Sequence, residues 1–577
     1  MKKILFIYTK KETLKLENYK DIINTIFSTD NLSLSNSYFN HNSIFIVYGN
    51  ESENILIYSK ENLIISYAGF IYFDLVPISD KNIEQEIYEN ILKNLSKKDF
   101  SRIKGKYIIA NYTTSKEEWT FFNDILGFWP TYFYQDDNIF LLSNDFEPLV
   151  KYKNNRFNLN IDSIYEYILF GAPQNNKTLF KNIQLLPPNS LVKIKNNKIT
   201  IKNYIKPIKI KSLNDSIEEI ADNYYFTFKK ETNQILNWKK DPKICLTGGT
   251  DTRMILGVLD EKNIKKSNFV TWSSEFFEDE INQDIIIAKI LAKEFGLKHN
   301  VIKNDLFAFK ELNEQYFVKL RESTEYYIGG YLGSETLRFF HSYTTNISYL
   351  TRLLINTDIN YDSYNDLFYE LKFKSKKESI LNYINYIKKY LRNNSNKSLK
   401  YLIEEINNSY KHIRVPYSEI SYMVNYCSRS FFSRHCGGAR NNILLTNNVT
   451  KFILSPFMSI DLLKIIFEIK PKFLNHYSNG LSNIILKKYF KHLNNIYTNS
   501  HLADCPATLL KKITFGQKST DVAKLNYQNA YKIIKSNNLN EFEDFFDFHK
   551  IIADFSDKDN VYVWYDLFIF LNYVKNL

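Results

Sequence analysis

The residues best suited to chemistry in this 577-residue chain form the string Leu246-Thr247-Gly248-Gly249-Thr250-Asp251-Thr252-Arg253. Its two glycines let the backbone approach an anion closely, and its three threonines add hydroxyl donors. A short apolar segment, Lys243-Ile244-Cys245-Leu246, precedes the string, and a helical pattern from Arg253 to Leu259 follows it. A turn between strand and helix offers free N–H groups and partial positive charge, which together make a phosphate cradle. Asp251 in the middle of such a cradle would repel phosphate unless a divalent cation joined them, which assigns it to Mg²⁺. The plain alternative is a polar Gly-Gly turn with no ligand. Placement within a βαβ unit weighs against it.

The elements that must position this turn recur downstream. Asn268 to Trp272 predicts a second strand. Ile281, Ile285, Ala288, Leu291 and Phe295 share one face of a helix, and His299 to Ile302 predicts a third strand. This alternation predicts a parallel sheet whose ligands lie beyond the carboxyl ends of its strands. Upstream, Asp215 caps an expected helix with Glu218 three residues on, and the helical pattern runs to about Ile235. From about residue 360 the chain is mostly helical, with Lys/Asn-rich connections such as Arg392 to Lys400.

Before about residue 205 the pattern is different. Short β-branched and aromatic runs at residues 43–48, 54–58, 63–67, 107–112, 131–134 and 139–142 predict strands. Between them, Ile83, Ile87, Ile91 and Leu95 have a helical period. An α+β layered N-terminal domain (1–205) followed by an α/β parallel-sheet domain with a large helical C-terminal part (206–577) is the expected architecture.

Composition narrows the function classes. With 44% hydrophobic and 24% charged residues, 43 Tyr and 44 Phe, the chain is folded throughout. The net charge of +12 is spread along a Lys- and Asn-rich sequence, and only eleven of the cations are Arg. It reads as background, because phosphate readers cluster their charge. Cys245, Cys427, Cys436 and Cys505 have no CxxC spacing, which points away from a disulfide framework or zinc site and toward a reducing cytoplasm. The apolar run after Met1-Lys2-Lys3 spans five residues, too few for a signal sequence. Val561 to Val574, interrupted by Asp566 and Asn572, falls short of a membrane span. Neither nucleic acid nor membrane is expected as a partner.

The string Thr-Gly-Gly-Thr-Asp-Thr resembles the Ser-Gly-Gly-x-Asp-Ser loop of N-type ATP pyrophosphatases, specifically of the asparagine synthetase family. Three further segments match that family's landmarks in order: Asn123 to Tyr134, which resembles Asp-x-x-Gly-x-x-Pro-x-Tyr-Tyr, then Leu142 to Leu149, then Thr178 to Asn189. The resemblance implies a class II glutamine amidotransferase-like domain of the Ntn type, followed by an ATP pyrophosphatase domain using ATP and Mg²⁺. It implies that Leu246 through Thr252 bind pyrophosphate, and that Thr271 and Trp272 lie at the adenosine. The family's second Gly-rich turn is matched by Gly330-Tyr331-Leu332-Gly333-Ser334-Glu335. There Ser334 falls at the second metal-binding Asp, with Glu335 the nearest carboxylate to replace it, and Tyr331 falls where β-lactam synthetases remove a proton from the amine.

Several family positions differ. The N-terminal Cys nucleophile is replaced by Lys2, and the oxyanion-stabilising Asn-Gly appears as Ala68-Gly69. Leu454 to Asp461 resembles the Pro-Phe-Leu-Asp landmark, and Asn483 stands where the phosphate-neutralising Lys is expected. Lys487, Lys488 and Lys518 are candidates for that charge, with Arg429, Arg434 and Arg440 as a second cationic group. Together these features lead us to expect a glutaminase-dead, ATP-dependent amide ligase, similar in logic to lasso-peptide cyclases and β-lactam synthetases. Its substrate would be a small molecule or peptide with a free carboxylate, and a precursor peptide or partner protein is an expected partner. An ammonia-using asparagine synthetase and a nucleotide-binding scaffold without turnover are the alternatives.

Overall fold

The computed structural model describes residues 3–10, 36–48, 57–73, 83–97, 99–153, 158–164, 176–204, 215–237, 242–273, 283–303, 327–330, 453–469, 481–494 and 539–554, with isolated positions between them. In chain order the first strands are β1 (Lys3–Thr9), β2 (Asn36–Asn40), β3 (Ser43–Tyr48), β4 (Tyr58–Lys60), β5 (Leu63–Phe73) and β6 (Ile103–Thr113). They are followed by β7 (Glu118–Asn123), β8 (Tyr132–Gln135), β9 (Ile139–Ser143), β10 (Ile183–Leu185), β11 (Ser190–Lys195) and β12 (Lys198–Asn203). These form two six-stranded sheets, ordered β10-β8-β9-β1-β3-β2 and β12-β11-β7-β6-β5-β4. The strand pairings within them are antiparallel.

The apolar N-terminal run, too short for a signal sequence, is β1, an inner strand between β9 and β3 with all seven residues buried. Burial on both faces explains its unbroken hydrophobicity. Phe6 of β1 packs on Trp119 and Phe121 of β7, at ring distances of 5.0 and 4.7 Å, so the two sheets share one aromatic core. Helix α1 (Ile83–Lys97) covers the outer face of the second sheet, with Ile87, Tyr88 and Ile91 against Ile65, Tyr67 and Ile109. Within that sheet β5 and β6 approach closely at Gly69 and Gly105, which adopt φ of +112° and +124°. A Cβ on Gly69 would lie 2.2 Å from the Lys106 carbonyl oxygen, so no other residue fits there without moving the strand pair.

After residue 215 the chain forms α2 (Ile217–Leu236), β13 (Lys243–Cys245), α3 (Thr250–Val258), β14 (Asn268–Ser273), α4 (Gln283–Glu294), β15 (His299–Lys303), β16 (Tyr327–Ile328) and β17 (Ile453–Leu454). The strands make a five-stranded parallel sheet ordered β15-β14-β13-β16-β17. The molecule is thus mixed α/β, with antiparallel sheets first and a parallel sheet later. The start of α2 differs from expectation by one residue: Ser216, not Asp215, is the cap, accepting from the Glu219 N–H at 3.2 Å while the Glu219 carboxylate accepts from the Ser216 N–H at 2.9 Å. Helix α3 begins at Thr250, directly after the glycines and three residues earlier than predicted.

Helices α5 (Ile460–Glu468) and α6 (Leu481–Tyr489) pack on α2, and their core includes Phe70, Tyr72 and Phe128 from the N-terminal part. One buried polar cluster crosses this joint. Lys104 Nζ of β6 lies 2.7 Å from Glu231 Oε1 of α2 and 2.8 Å from Asp461 Oδ2 of α5, and the Tyr72 hydroxyl donates to Glu231 Oε2 at 3.1 Å.

Candidate active site

The loop Leu246–Gly249 leaves β13 and Gly249 caps α3, so the loop lies at the carboxyl end of the parallel sheet. The Leu246 N–H still donates to the Val270 carbonyl at 2.8 Å, after which the backbone turns away. The threonines were expected to face a ligand as donors, yet two of them hold the loop itself. Thr252 Oγ1 accepts from the Thr247 N–H at 3.3 Å and lies 3.1 Å from Thr247 Oγ1, which in turn accepts from the Gly249 N–H at 3.1 Å. The Gly248 N–H donates outside the loop, to Asp284 Oδ1 of α4 at 2.9 Å. Asp284 was not anticipated from the sequence; a carboxylate in the first turn of the next helix is its one local signal.

The second Gly-rich turn meets Asp251 directly. A Cβ on Gly330 would lie 2.7 Å from Asp251 Cβ, and one on Gly333 would lie 2.6 Å from Asp251 Cγ. The Gly333 N–H donates to the Gly330 carbonyl at 3.0 Å, closing the turn over the start of α3. Two segments about 80 residues apart in sequence thus converge on one carboxylate, and only residues without a side chain permit it. Tyr331, Ser334 and Glu335 lie outside the described residues, as do Arg429, Arg434, Arg440 and Lys518.

Thr271 is enclosed by protein and Trp272 is partly buried. Thr271 is buried, its Oγ1 donating to the Leu246 carbonyl at 2.6 Å and lying 2.7 Å from His299 Nε2. With the hydroxyl hydrogen on Leu246, the imidazole must donate from Nε2, which fixes its tautomer. Burial lowers the His299 pKa, in keeping with a neutral ring. The Trp272 ring packs edge-on against Tyr327 at 4.8 Å and touches Cys245, whose thiol burial pushes up to about 11. That thiol stays protonated and is no nucleophile.

Arg253, in the first turns of α3, is 1% exposed. Its Nη1 donates to the carbonyls of Leu493, at 2.9 Å, and Ile496, at the C-terminal end of a short helix, Lys491–Asn494. Its Nε and Nη2 have no hydrogen-bond partner among the described residues. Burial lowers its pKa to about 10, so the guanidinium remains charged at neutral pH. Lys487 is exposed on the last turn of α6, whose buried face carries Leu481, Ser482, Ile485 and Leu486.

Among the described residues no cluster of three or more His, Cys, Asp or Glu could hold a metal alone. Mg²⁺ does not require one, since one or two carboxylates, phosphate oxygens and water complete its shell. Asp251, walled by Gly330 and Gly333, and Asp284 on Gly248 supply hard oxygen donors of that kind.

At the start of β1, Lys3 Nζ meets Asp145 Oδ2 at 2.5 Å, and the Tyr48 hydroxyl donates to the same oxygen at 3.2 Å. The Ile4 N–H donates to Asn144 Oδ1 at 2.6 Å, and Ser143 Oγ donates to the Ile4 carbonyl at 2.6 Å. This end of the strand is held by buried polar bonds. Ala68, on β5, is fully buried.

Comparison with known proteins agrees with this architecture. The family described as glutamine amidotransferase domain matches residues 81–205. A Methanocaldococcus jannaschii protein named "Putative asparagine synthetase (glutamine-hydrolyzing) 2" is 27% identical over 289 residues, covering 46% of this chain and 54% of its own length. Part of the chain is thus similar to a protein named as an asparagine synthetase. It spans about half the length of that curated relative. Two solved structures also match. A glutamine phosphoribosylpyrophosphate amidotransferase from B. subtilis, complexed with ADP and GMP, is 13% identical, with 57% of this chain and 68% of that one covered and a TM-score of 0.21. An allosteric regulatory enzyme of purine biosynthesis is 11% identical, with 52% and 74% covered and a TM-score of 0.21. Superpositions that loose carry no argument about this chain. The amidotransferase match begins after β5, so it includes neither the start of β1 nor Ala68-Gly69.

Proposed function

We propose that the chain is an ATP-dependent ligase that joins a carboxylate to an amine without hydrolysing glutamine. The observation that carries this reading is the convergence of Gly330 and Gly333 on Asp251, at the N-terminus of the helix that follows the Gly248-Gly249 loop. Anionic phosphates suit that place, with the N–H groups of the α3 N-terminus in front. Bound there, Mg²⁺ would neutralise phosphate charge as a Lewis acid. Asp251 would hold it, with Ser334 or Glu335 of the glycine turn as the second ligand.

In the reaction, a substrate carboxylate oxygen attacks the α-phosphorus of ATP, the α–β bond breaks and pyrophosphate leaves. The amine nitrogen then attacks the acyl carbon, the acyl–oxygen bond breaks, AMP leaves and the surplus amine proton passes to a base. Tyr331 and Lys487 are the proposed base and counter-charge. The loop's role is electrostatic: it stabilises charge that grows on the departing pyrophosphate.

The relative's printed name describes glutamine hydrolysis, and two features of this chain favour a different amine source. Lys3 stands at the start of β1, tied to Asp145, and none of residues 1–244 is Cys. Ala68 offers a methyl group where an amide side chain would stabilise an oxyanion. The amine is then free ammonia or an amino group on the same or a second substrate, where closure within one molecule gains from proximity. The carboxylate belongs to a small molecule or a peptide, and the N-terminal part serves as scaffold or docking surface.

The test measures AMP and pyrophosphate release from ATP with Mg²⁺ and panels of carboxylates and amines, for the parent chain and Asp251→Ala. Release in the parent, a loss of at least about 10²-fold in the variant, and no glutamate from glutamine are expected. Tight ATP binding with no release across the panels would instead support the scaffold reading. Glutamate formation would overturn the glutamine-independent assignment.

A further inference from the structure

The loop that precedes α3 carries three amides already met by side chains: those of Thr247 and Gly249 are closed from within by the Thr252 and Thr247 hydroxyls. The third, on Gly248, is closed from outside by Asp284 Oδ1 at 2.9 Å, across 36 residues of chain. Asp284 lies in the first turn of α4, the helix that connects β14 to β15, so its carboxylate reaches back from the next βαβ unit. A carboxylate oxygen on a backbone N–H beside a helix N-terminus has the geometry of a bound phosphate oxygen. Asp251 already brings one negative charge to this place, and Asp284 brings a second.

We propose that Asp284 is a positioning residue that makes the loop select metal-bound phosphate over free anion. Its carboxylate fixes the Gly248 amide and opposes any oxyanion that approaches without a balancing divalent cation. This rests on the nucleotide-site reading above. Unit charges of like sign a few ångströms apart, at an effective dielectric of about 20, repel by enough to lower binding at least about tenfold. A divalent cation carried by the phosphate reverses the sign, so the same residue that repels bare pyrophosphate would favour its Mg²⁺ complex.

The experiment uses the full chain and inorganic pyrophosphate as probe, with affinities measured calorimetrically in EDTA and in Mg²⁺ for the parent, Asp284→Asn and Asp284→Ala. The Asn variant keeps an acceptor for Gly248 and removes only the charge. Both variants are expected to bind metal-free pyrophosphate at least about tenfold more tightly than the parent, and to lose a similar factor of Mg²⁺ enhancement. Thermal unfolding within a few degrees of the parent confirms an intact fold for the half-exposed site. If the parent binds in Mg²⁺ and neither variant gains affinity without it, the role of Asp284 is overturned while the nucleotide site stands. A gain in the Ala variant alone overturns the charge argument, because the hydrogen bond would then be the barrier. No pyrophosphate binding by any of the three, in either buffer, overturns the nucleotide-site reading and this proposal together.

Discussion

Replacing Lys104 by Met removes the cation at the joint between the antiparallel sheets and the helices around the parallel sheet. Its ammonium lies 2.7 Å from Glu231, whose side chain has 0% exposure, and 2.8 Å from Asp461, whose side chain is 35% exposed. Without the lysine, the Glu231 carboxylate keeps the Tyr72 hydroxyl at 3.1 Å and, among the described residues, no ion-pair partner. Breaking one partner out of a buried ion pair costs about 3–5 kcal/mol. The Asp461 arm adds about 0–1 kcal/mol, because water reaches that carboxylate. Urea unfolding followed by tryptophan fluorescence should therefore show Lys104→Met destabilised by about 3–5 kcal/mol. The pair Lys104→Met with Glu231→Met should recover most of the loss, since an apolar pair replaces two desolvated charges. Burial pulls the Lys104 pKa down, but the charge of Glu231 and the bonds to Asp461 and Glu231 outweigh it and raise the value overall. Burial likewise pushes Asp461 up, and Lys104 overrides it to leave the carboxyl below its usual range. The joint's contribution is then complete between the ordinary Asp and Lys values, lost in acid as pH falls through the lowered Asp461 value, and lost in alkali beyond the raised Lys104 value. A single variant that costs less than about 1 kcal/mol, or a double variant as unstable as the two singles summed, would refute the reasoning.

Two further outcomes follow from other sites. Gly333→Ala places a Cβ 2.6 Å from Asp251 Cγ, so it should destabilise by about 1–3 kcal/mol and weaken Mg²⁺-dependent pyrophosphate binding, measured by urea unfolding and calorimetry; unchanged binding would separate Gly333 from the site. Asp124 accepts the N–H groups of Leu126, Phe128, Trp129 and Tyr107 at 2.8 to 3.3 Å, so Asp124→Ala should cost about 3 kcal/mol or more, at about 1–3 kcal/mol for each amide left unmet. Burial raises Asp124 to about 6 in spite of those donors, so its contribution declines as pH rises from about 4 to 6, and Asp124→Asn should abolish that slope in unfolding free energy.

Local signals placed most of the elements. The β-branched runs at Ser43–Tyr48 and Ile139–Ser143 are strands because burial and pleat favour those residues, and the Gly248-Gly249 turn is where a strand must hand over to a helix. What the sequence could not reveal depends on pairings distant along the chain. Lys104, Glu231 and Asp461 belong to three elements separated by more than 120 residues at each step, and each alone resembles a solvated charge. Asp284 is one of several acids in its stretch, and only the register of β14 against β15 brings α4 back toward Gly248. The one-residue error at Ser216 has a local cause: Asp215 and Ser216 are both good caps, each followed by a Glu three residues on, and the observed reciprocal bonds select the second.

The two halves of the chain differ in what their departures mean. On the glutamine-independent reading proposed above, the N-terminal positions at issue support structure: Lys3 pairs with Asp145, and Ala68 is fully buried beside Gly69, which the β5–β6 approach requires. These sheets also support the other half, since Lys104 pairs with the buried Glu231 and Phe70, Tyr72 and Phe128 share the core of α2, α3 and α6. In the parallel-sheet half Gly330 and Gly333 wall Asp251, although each glycine costs conformational entropy that a plain structural turn could avoid. Such costly glycines around one carboxylate, beside an amide already holding a second carboxylate, suit the anion and cation proposed for this site better than a turn without a ligand.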